Sequence, residues 1–129
     1  MSRQRVSANR PWERILGYSR AVRAGSVIEV SGTAAAGPDG EILAEGDAYG
    51  QAREALRIIG EALTEAGGSF ADVVRTRILL TDVSTWEEAG RAHGEVFADI
   101  RPANTTMGAA GFIDPKILVE IEATALLDA

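Results

Sequence analysis

Leu118-Val119-Glu120-Ile121-Glu122-Ala123 is the stretch that most constrains the fold of this chain. Apolar and acidic residues alternate through it, and a period of two is typical of a β-strand whose side chains point to opposite sheet faces. One face of this strand is apolar and is expected to pack on helices, while Glu120 and Glu122 share the other. Two carboxylates on one face repel each other and need solvent, a cation or a partner chain. The segment therefore predicts a strand that carries a site or an ordinary half-solvated antiparallel strand, and spacing alone favours the second.

The composition limits the classes of protein to consider. A chain of 129 residues can close one hydrophobic core, so we assign residues 1–129 to a single domain. It contains no cysteine and one histidine, which leaves too few soft ligands for a metal site. The net charge of −6 argues against nucleic-acid binding. No uninterrupted run of 18 apolar residues and no apolar leader are present, so we expect a cytoplasmic protein without membrane contact.

Hydrophobic periodicity predicts two helices among β-strands. Helical spacing runs from Asp47, a good N-cap residue, to Ala66, and Gly67-Gly68 ends it. A second helix is expected after Ser84-Thr85-Trp86-Glu87, which has the spacing of a capping box, with Trp86 in its buried stripe. Residues 1–16 are expected to form an irregular arm. Strands are predicted at 19–23, 26–31, 41–44, 73–81, 104–110 and 117–127.

These elements predict an α+β domain in which both helices cover one face of the sheet. In the strand at 73–81, Val74 and Thr76 are expected to share one face. The opposite sheet face is expected to carry five polar side chains: Arg75, Arg77, Thr106, Glu120 and Glu122. Copies of the same chain are the simplest cover for so large a face, so we expect a closed homo-oligomer.

Five short motifs in the same order resemble the RidA family, also called YjgF or L-PSP. The resemblance spans about residues 17–127 and implies a chorismate-mutase-like fold, with two helices packed on one face of a mixed β-sheet. It also implies a homotrimer with a small-molecule cleft between subunits. Members of that family hydrolyse 2-imino acids or their enamine tautomers to 2-keto acids and ammonia, without metal or cofactor. The motifs are Gly17-Tyr18-Ser19-Arg20-Ala21-Val22, Val30-Ser31-Gly32-Thr33, Asp72-Val73-Val74-Arg75-Thr76-Arg77 with Thr81-Asp82-Val83, Arg101-Pro102-Ala103, and Val119-Glu120-Ile121-Glu122-Ala123.

The resemblance assigns one wall of the cleft by position. Glu120 matches the acid that positions water and is the candidate catalytic residue. Tyr18, Ser31 and Gly32 match substrate-binding positions. Each has a structural alternative: Glu120 pairs with a neighbouring arginine, Tyr18 packs in the interior, or Gly32 forms a bulge in its strand.

The second wall departs from the pattern of the imine deaminases. Asn104 stands where they have the arginine that binds the substrate carboxylate, and Gly90 stands where they have an asparagine. Thr106 keeps a hydroxyl at a position that holds cysteine or threonine. Asn104 and Thr106 share one strand face and are candidate substrate-binding residues, or ordinary polar residues at an interface. His93 is interpreted as a packed boundary residue rather than a catalytic one.

Three functions remain open from the sequence. One is a cofactor-independent hydrolase of an imine, enamine or related C–N substrate, lacking the charged carboxylate clamp because Asn104 replaces the arginine. The second is a non-catalytic trimer that binds a small metabolite in the same cleft. The third is an endoribonuclease, which the net charge and the single histidine argue against.

Overall fold

The computed structural model describes residues 2–128, which form one six-stranded mixed sheet with two long helices. The strand order is β1-β2-β3-β6-β4-β5, with β4 and β5 parallel and every other neighbouring pair antiparallel. The predicted α+β class and mixed sheet are confirmed. The strands are β1 (Arg3–Val6), β2 (Ala21–Ala24), β3 (Val27–Thr33), β4 (Val73–Leu80), β5 (Ala103–Gly108) and β6 (Val119–Leu126), and the helices are α1 (Trp12–Leu16), α2 (Ala48–Glu65) and α3 (Trp86–Phe97).

Helix α2 covers the centre of the sheet, as its periodicity predicts. The Asp47 carboxylate accepts from the Gly50 amide at 3.0 Å, which satisfies one of the free donors in the first turn. The helix packs on β3 and β6 and against α3. Its apolar stripe is buried together with the inward residues of β6, including Leu63 and Ile121, which are fully buried. This burial of apolar surface is the main stabilising contribution to the domain.

Strand β6 alternates as the sequence predicts, but β4 contains an irregularity. Val119, Ile121, Ala123 and Ala125 are buried, with Glu120 and Glu122 on the other face. The pairing of β4 with β6 shifts register between Val73 and Arg75. The prediction for Val74 is therefore wrong, because the shift buries Val73 instead and leaves Val74 47% exposed.

The N-terminal segment is more regular than predicted. Residues 3–6 pair antiparallel with β2 as an edge strand, and Trp12–Leu16 is a short helix. Three of the four residues of β1 are exposed and polar, so this strand lacks the alternation that identifies buried ones. The strand predicted at 41–44 is reduced to one bridge between Ala36 and Ile42.

The start of α3 also differs from the prediction. The helix begins at Trp86, and its N-cap residue Thr85 makes no side-chain capping bond, so the capping box does not form. Asp82 instead accepts from the Ser84 amide at 3.0 Å and caps the preceding 3₁₀ turn, Val83–Thr85. Trp86 is predicted to lie in the buried stripe but is 55% exposed. The buried residues of α3 are Ala89, Ala92 and Phe97.

Candidate active site

A cavity of about 300 Å³ lies among α1, the segment that enters β2, the second half of β3, and β6. Four of the residues selected from the sequence line it: Tyr18, Ser31, Gly32 and Glu120. Two further charged residues, Arg20 and Glu122, line the same cavity. The structure therefore brings together one predicted wall of the cleft within a single protomer.

Glu120 is the carboxylate of this cavity. Strand β6 places it on the face away from α2, and among residues 2–128 it takes part in no ion pair. Burial raises the pKa of the Glu120 carboxyl; the positive charge of Arg20 opposes this rise and the negative charge of Glu122 adds to it. The raised pKa brings the carboxyl closer to the range in which it can both accept and donate a proton near neutral pH.

Because Gly32 has no side chain, the Glu120 carboxylate can lie directly against the backbone of β3. Strand β3 shifts register against β6 between Val30 and Thr33, as expected for a bulge, and Gly32 lies within that shift. A β-carbon on Gly32 would lie 2.6 Å from Glu120 Oε1. Glycine is therefore needed here for close approach of the carboxylate, with no positive φ involved.

The expected structural partners of Glu120 bind elsewhere. Arg77 Nη1 lies 3.3 Å from Glu122 Oε1. Arg75 donates to Thr105 Oγ1 at 3.0 Å. The alternative in which Glu120 pairs with an arginine of β4 is therefore wrong. The carboxylate that pairs with Arg77 is that of Glu122.

Arg20 was not singled out from the sequence. Its guanidinium is 5.8 Å from the centroid of the Tyr18 ring, and its side chain is 6% exposed. The available signal was its position two residues after Tyr18, because a period of two places both side chains on the same side of an extended segment.

Asn104 and Thr106 lie on the opposite face of the sheet from Glu120. Strand β5 runs parallel to β4, and its register sets Asn104 beside Thr76 and Thr106 beside Ile78. Thr76 and Ile78 are buried on the helix-covered face. The expectation that Asn104 and Thr106 share a face is confirmed, whereas the expectation that Thr106 accompanies Glu120 is wrong.

A chain of hydrogen bonds joins Asn104 to α3. Thr106 Oγ1 donates to Asn104 Oδ1 at 2.8 Å, and Asn104 Nδ2 donates to Thr76 Oγ1 at 3.0 Å. Thr76 Oγ1 in turn lies 2.8 Å from His93 Nε2. The His93 ring packs 4.5 Å from the Phe97 ring, centroid to centroid, and burial lowers the pKa of His93. His93 is thus the boundary residue that the helix stripe predicts.

Residues 2–128 contain neither a metal-binding cluster nor a membrane-spanning helix. No cluster of three or more histidine, cysteine, aspartate or glutamate side chains is arranged to hold a metal ion. None of the helices in this part of the chain has the length and apolar character needed to cross a membrane.

The fold and the cavity together define a small α+β domain with a carboxylate and a guanidinium in one partly apolar cavity. The chain belongs to the RidA/YjgF family: the family model described as Endoribonuclease L-PSP matches residues 8–127.

Similar proteins are known from several bacteria. The crystal structure of Rv2704 from Mycobacterium tuberculosis, a member of the YjgF/YER057c/UK114 family, superimposes with a TM-score of 0.87 at 44% identity, covering 98% of this chain and 100% of that one. An uncharacterized protein of Streptomyces coelicolor, SCO2049, is 39% identical over 95% of this chain and 90% of its own length. The 3-aminoacrylate deaminase RutC of Acinetobacter baylyi is 32% identical over 84% of this chain and 85% of its own.

Proposed function

We propose that this protein is a cofactor-independent hydrolase of imine or enamine substrates and that Glu120 is its catalytic acid and base. The main support for this proposal is the position of the Glu120 carboxylate, which lies in the cavity against Gly32. Burial there raises the pKa of the Glu120 carboxyl. The name of the RutC relative supports this class, because 3-aminoacrylate is an enamine whose imine tautomer is open to attack by water.

The proposed reaction adds water to a C=N bond. The Glu120 carboxylate accepts a proton from water as the water oxygen bonds to the imine carbon, and it passes this proton to the imine nitrogen, which gives a carbinolamine. Glu120 then accepts the hydroxyl proton of the carbinolamine and donates it to the nitrogen. The C–N bond breaks as the C=O bond forms, so that ammonia leaves and Glu120 is again a carboxylate. An enamine first becomes the imine by moving one proton from its nitrogen to its carbon.

We extend the proposal to a homotrimer in which the second wall comes from a neighbouring copy. Asn104 and Thr106 lie on an edge strand, on the sheet face opposite Glu120, so one protomer does not bring them to its own cavity. Near that edge Val83, Trp86 and Met107 are large exposed apolar residues, 54%, 55% and 46% exposed. Exposed apolar side chains of this size are typical of surfaces that contact another chain.

The test of the chemistry is hydrolysis of 2-iminobutyrate generated in situ, with its decay measured in the presence and absence of the purified protein. Wild type is expected to accelerate decay, and Glu120→Gln is expected to lose about 10²- to 10⁴-fold of that acceleration, the usual contribution of a general acid or base. Glu122→Gln is the matched comparison: Glu122 is on the same strand face and also lines the cavity, but its carboxylate is paired with Arg77, so a much smaller loss than in Glu120→Gln is expected. Equal activity of Glu120→Gln and wild type would overturn the assignment.

The test of the assembly is the mass in solution by light scattering, together with mixing of variants. Three chains per particle are expected. If Glu120 and Asn104 from two protomers meet in one site, co-refolding Glu120→Gln with an inactive Asn104→Asp chain restores part of the activity. A monomer that is fully active would contradict the shared cleft.

A non-catalytic metabolite-binding trimer is the second candidate. It is favoured by the Asn104 amide, which has no charge and uses both its oxygen and its nitrogen within the protomer. Saturable binding of a small metabolite, with no turnover of any imine tested, would favour this candidate over the hydrolase.

Endoribonuclease activity, which the family model's description names, is supported by neither charge nor site. The net charge is −6, and the single histidine has its pKa lowered by burial. Both features disfavour binding and cleavage of a polyanion. Cleavage of RNA by purified wild type, lost in a Glu120→Gln preparation, would overturn this view.

A further inference from the structure

Arg20 is a buried cation whose hydrogen bonds all come from one nitrogen. Its Nη1 donates to Ser31 Oγ at 3.2 Å, the Gly32 carbonyl at 3.1 Å and Thr33 Oγ1 at 3.0 Å. These acceptors are neutral and belong to the irregular part of β3. Arg20 therefore holds the β3 bulge in place, but this uses only part of its donor capacity, since a guanidinium has five N–H donors.

Arg20 has no ion-pair partner: no carboxylate of residues 2–128 lies within 4.0 Å of its guanidinium. Its Nε is the one buried side-chain nitrogen or oxygen in this part of the chain without a hydrogen-bond partner. Burial lowers the pKa of Arg20, and Tyr18 and Glu120 in the same cavity oppose this fall from a greater distance. Buried charges in proteins are nearly always paired, so a guanidinium that lines a cavity without an ion pair is suited to an anionic partner from outside.

The same cavity supplies an apolar surface beside this charge. Trp12, Leu16, Ile113 and Ile117 line it together with Arg20 and the polar residues described above. Leu16 and Ile113 are 64% and 57% exposed, although both are large apolar side chains. A ligand that satisfies both features carries an anionic group for the guanidinium and an apolar substituent for these residues.

We propose that Arg20 is the anion-binding residue of this cavity and that its ligand is a small carboxylate with an apolar substituent. A guanidinium binds a planar carboxylate through two parallel N–H bonds, which orients the ligand as well as holding it. The position that holds arginine in imine deaminases is Asn104 here, on the opposite sheet face, so the positive charge is supplied from the segment entering β2 instead of from β5. The role of Arg20 in binding is independent of the proposed hydrolase chemistry, which concerns only the reaction of the bound ligand.

The decisive comparison uses one carbon skeleton with and without charge. The probes are 4-methyl-2-oxopentanoate and its neutral methyl ester, titrated into wild type and monitored by isothermal calorimetry and by amide NMR shifts. Wild type is expected to bind the acid about 10- to 100-fold more tightly than the ester, since hydrogen bonds to charged groups are among the stronger polar contacts. Equal affinity for acid and ester would overturn the proposal without any mutation.

Three variants separate the binding role from the structural one. Arg20→Gln is expected to lose most of the preference for the acid while its weak affinity for the ester stays the same. Arg20→Lys keeps the charge without the planar fork and is expected to retain an intermediate preference, which gives a second readout if the glutamine variant does not fold. Arg23→Gln is the matched control, because Arg23 is on β2 but donates to the carbonyls of Gly25 and Ala66.

The outcomes distinguish this proposal from the hydrolase proposal. A folded Arg20→Gln chain that binds the acid as wild type does would overturn the role of Arg20, whatever the catalytic activity. Conversely, an Arg20-dependent preference for the acid supports the binding site even if wild type hydrolyses no imine. Glu120→Gln is expected to keep the preference for the acid, because removing a nearby negative charge favours anion binding.

Discussion

Two polar clusters lie on opposite faces of the sheet, and they differ in how completely their hydrogen bonds are made. On the helix-covered face, each of Thr106, Asn104 and Thr76 is bonded to the next, and the chain ends on His93. Each of these side chains has a partner within the protomer, and Asn104 and Thr106 are also exposed at the sheet edge. Such satisfied networks fix the packing of their surroundings.

The cavity cluster is incomplete by comparison. Glu120 has a raised pKa and no ion pair among residues 2–128, and Arg20 Nε has no acceptor. Unsatisfied buried groups destabilise a protein, and they persist where a ligand or a reaction uses them. The incomplete cluster is therefore the better candidate for the chemistry and for ligand binding, although the satisfied one holds the residue at the position of the family's arginine.

Filling the space beside Glu120 tests this most strongly. Gly32→Ala places a methyl group where a β-carbon would lie 2.6 Å from Glu120 Oε1, so the carboxylate must move. We expect imine turnover to fall about 10- to 100-fold, since displacing a catalytic group by about 1 Å has effects of that size. The measurement is the in situ 2-iminobutyrate assay.

The matched control is a glycine with free space around it. A β-carbon on Gly94, in α3, would meet nothing within 4 Å. Gly94→Ala is therefore expected to leave turnover unchanged and to raise the free energy of unfolding by about 0.5–1 kcal/mol through helix propensity. Full activity of Gly32→Ala would contradict the role assigned to the Glu120 carboxylate.

The sequence was sufficient for the strongly periodic parts of this fold. Strand β6 and helix α2 were predicted with nearly correct limits, because their buried residues repeat at two and 3.6 residues. Edge strand β1 was missed because an exposed polar strand has no such repeat. The burial of Val73 in place of Val74 was missed because the register shift between β4 and β6 changes which of the two side chains points to the helices. The sequence of β4 carries no sign of that shift.

The sequence predicts which residues of one strand share a face, but it does not predict which residues of different strands lie on the same face of the sheet. Tyr18, Ser31, Gly32 and Glu120 were found together in one cavity, as expected. Thr106 was assigned to the wrong face. Periodicity within β5 shows which of its residues share a face, but the pairing of β5 with β4 decides which face of the sheet that is.

Breaking the satisfied cluster is expected to affect stability more than activity. Thr76→Val removes the hydroxyl that joins Asn104 to His93 at a position only 1% exposed. The free energy of unfolding should fall by about 1–2 kcal/mol, because His93 and Asn104 lose a partner and valine fills the volume. Chemical denaturation measures this loss, and in the imine assay turnover should fall much less than in Glu120→Gln, because Asn104 keeps its hydrogen bond from Thr106.

Thr105→Val is the control for Thr76→Val. Thr105 is on the adjacent strand, where its hydroxyl accepts from Arg75 near the surface. A loss below about 0.5 kcal/mol is expected there, since partly exposed hydrogen bonds are replaced by water. If Thr76→Val lowered turnover as much as Glu120→Gln in a folded protein, the satisfied cluster would have to take part in the chemistry as well as in the wall of the cleft.

The smallest expected effect is a pH dependence of stability that originates at His93. Burial lowers the pKa of His93 in the folded state below its ordinary value of 6.5, so between these two values the unfolded chain binds more protons than the folded one. His93 therefore favours folding fully above pH 6.5, and its contribution is lost as the pH falls through the folded pKa. Denaturation at pH 8 and pH 5.5 should show a larger drop for wild type than for His93→Gln, which cannot titrate. Since Thr76 and Phe97 are the contacts that keep this ring from solvent, an equal drop in both proteins would mean that the ring is hydrated and that the satisfied cluster is looser than its hydrogen bonds indicate.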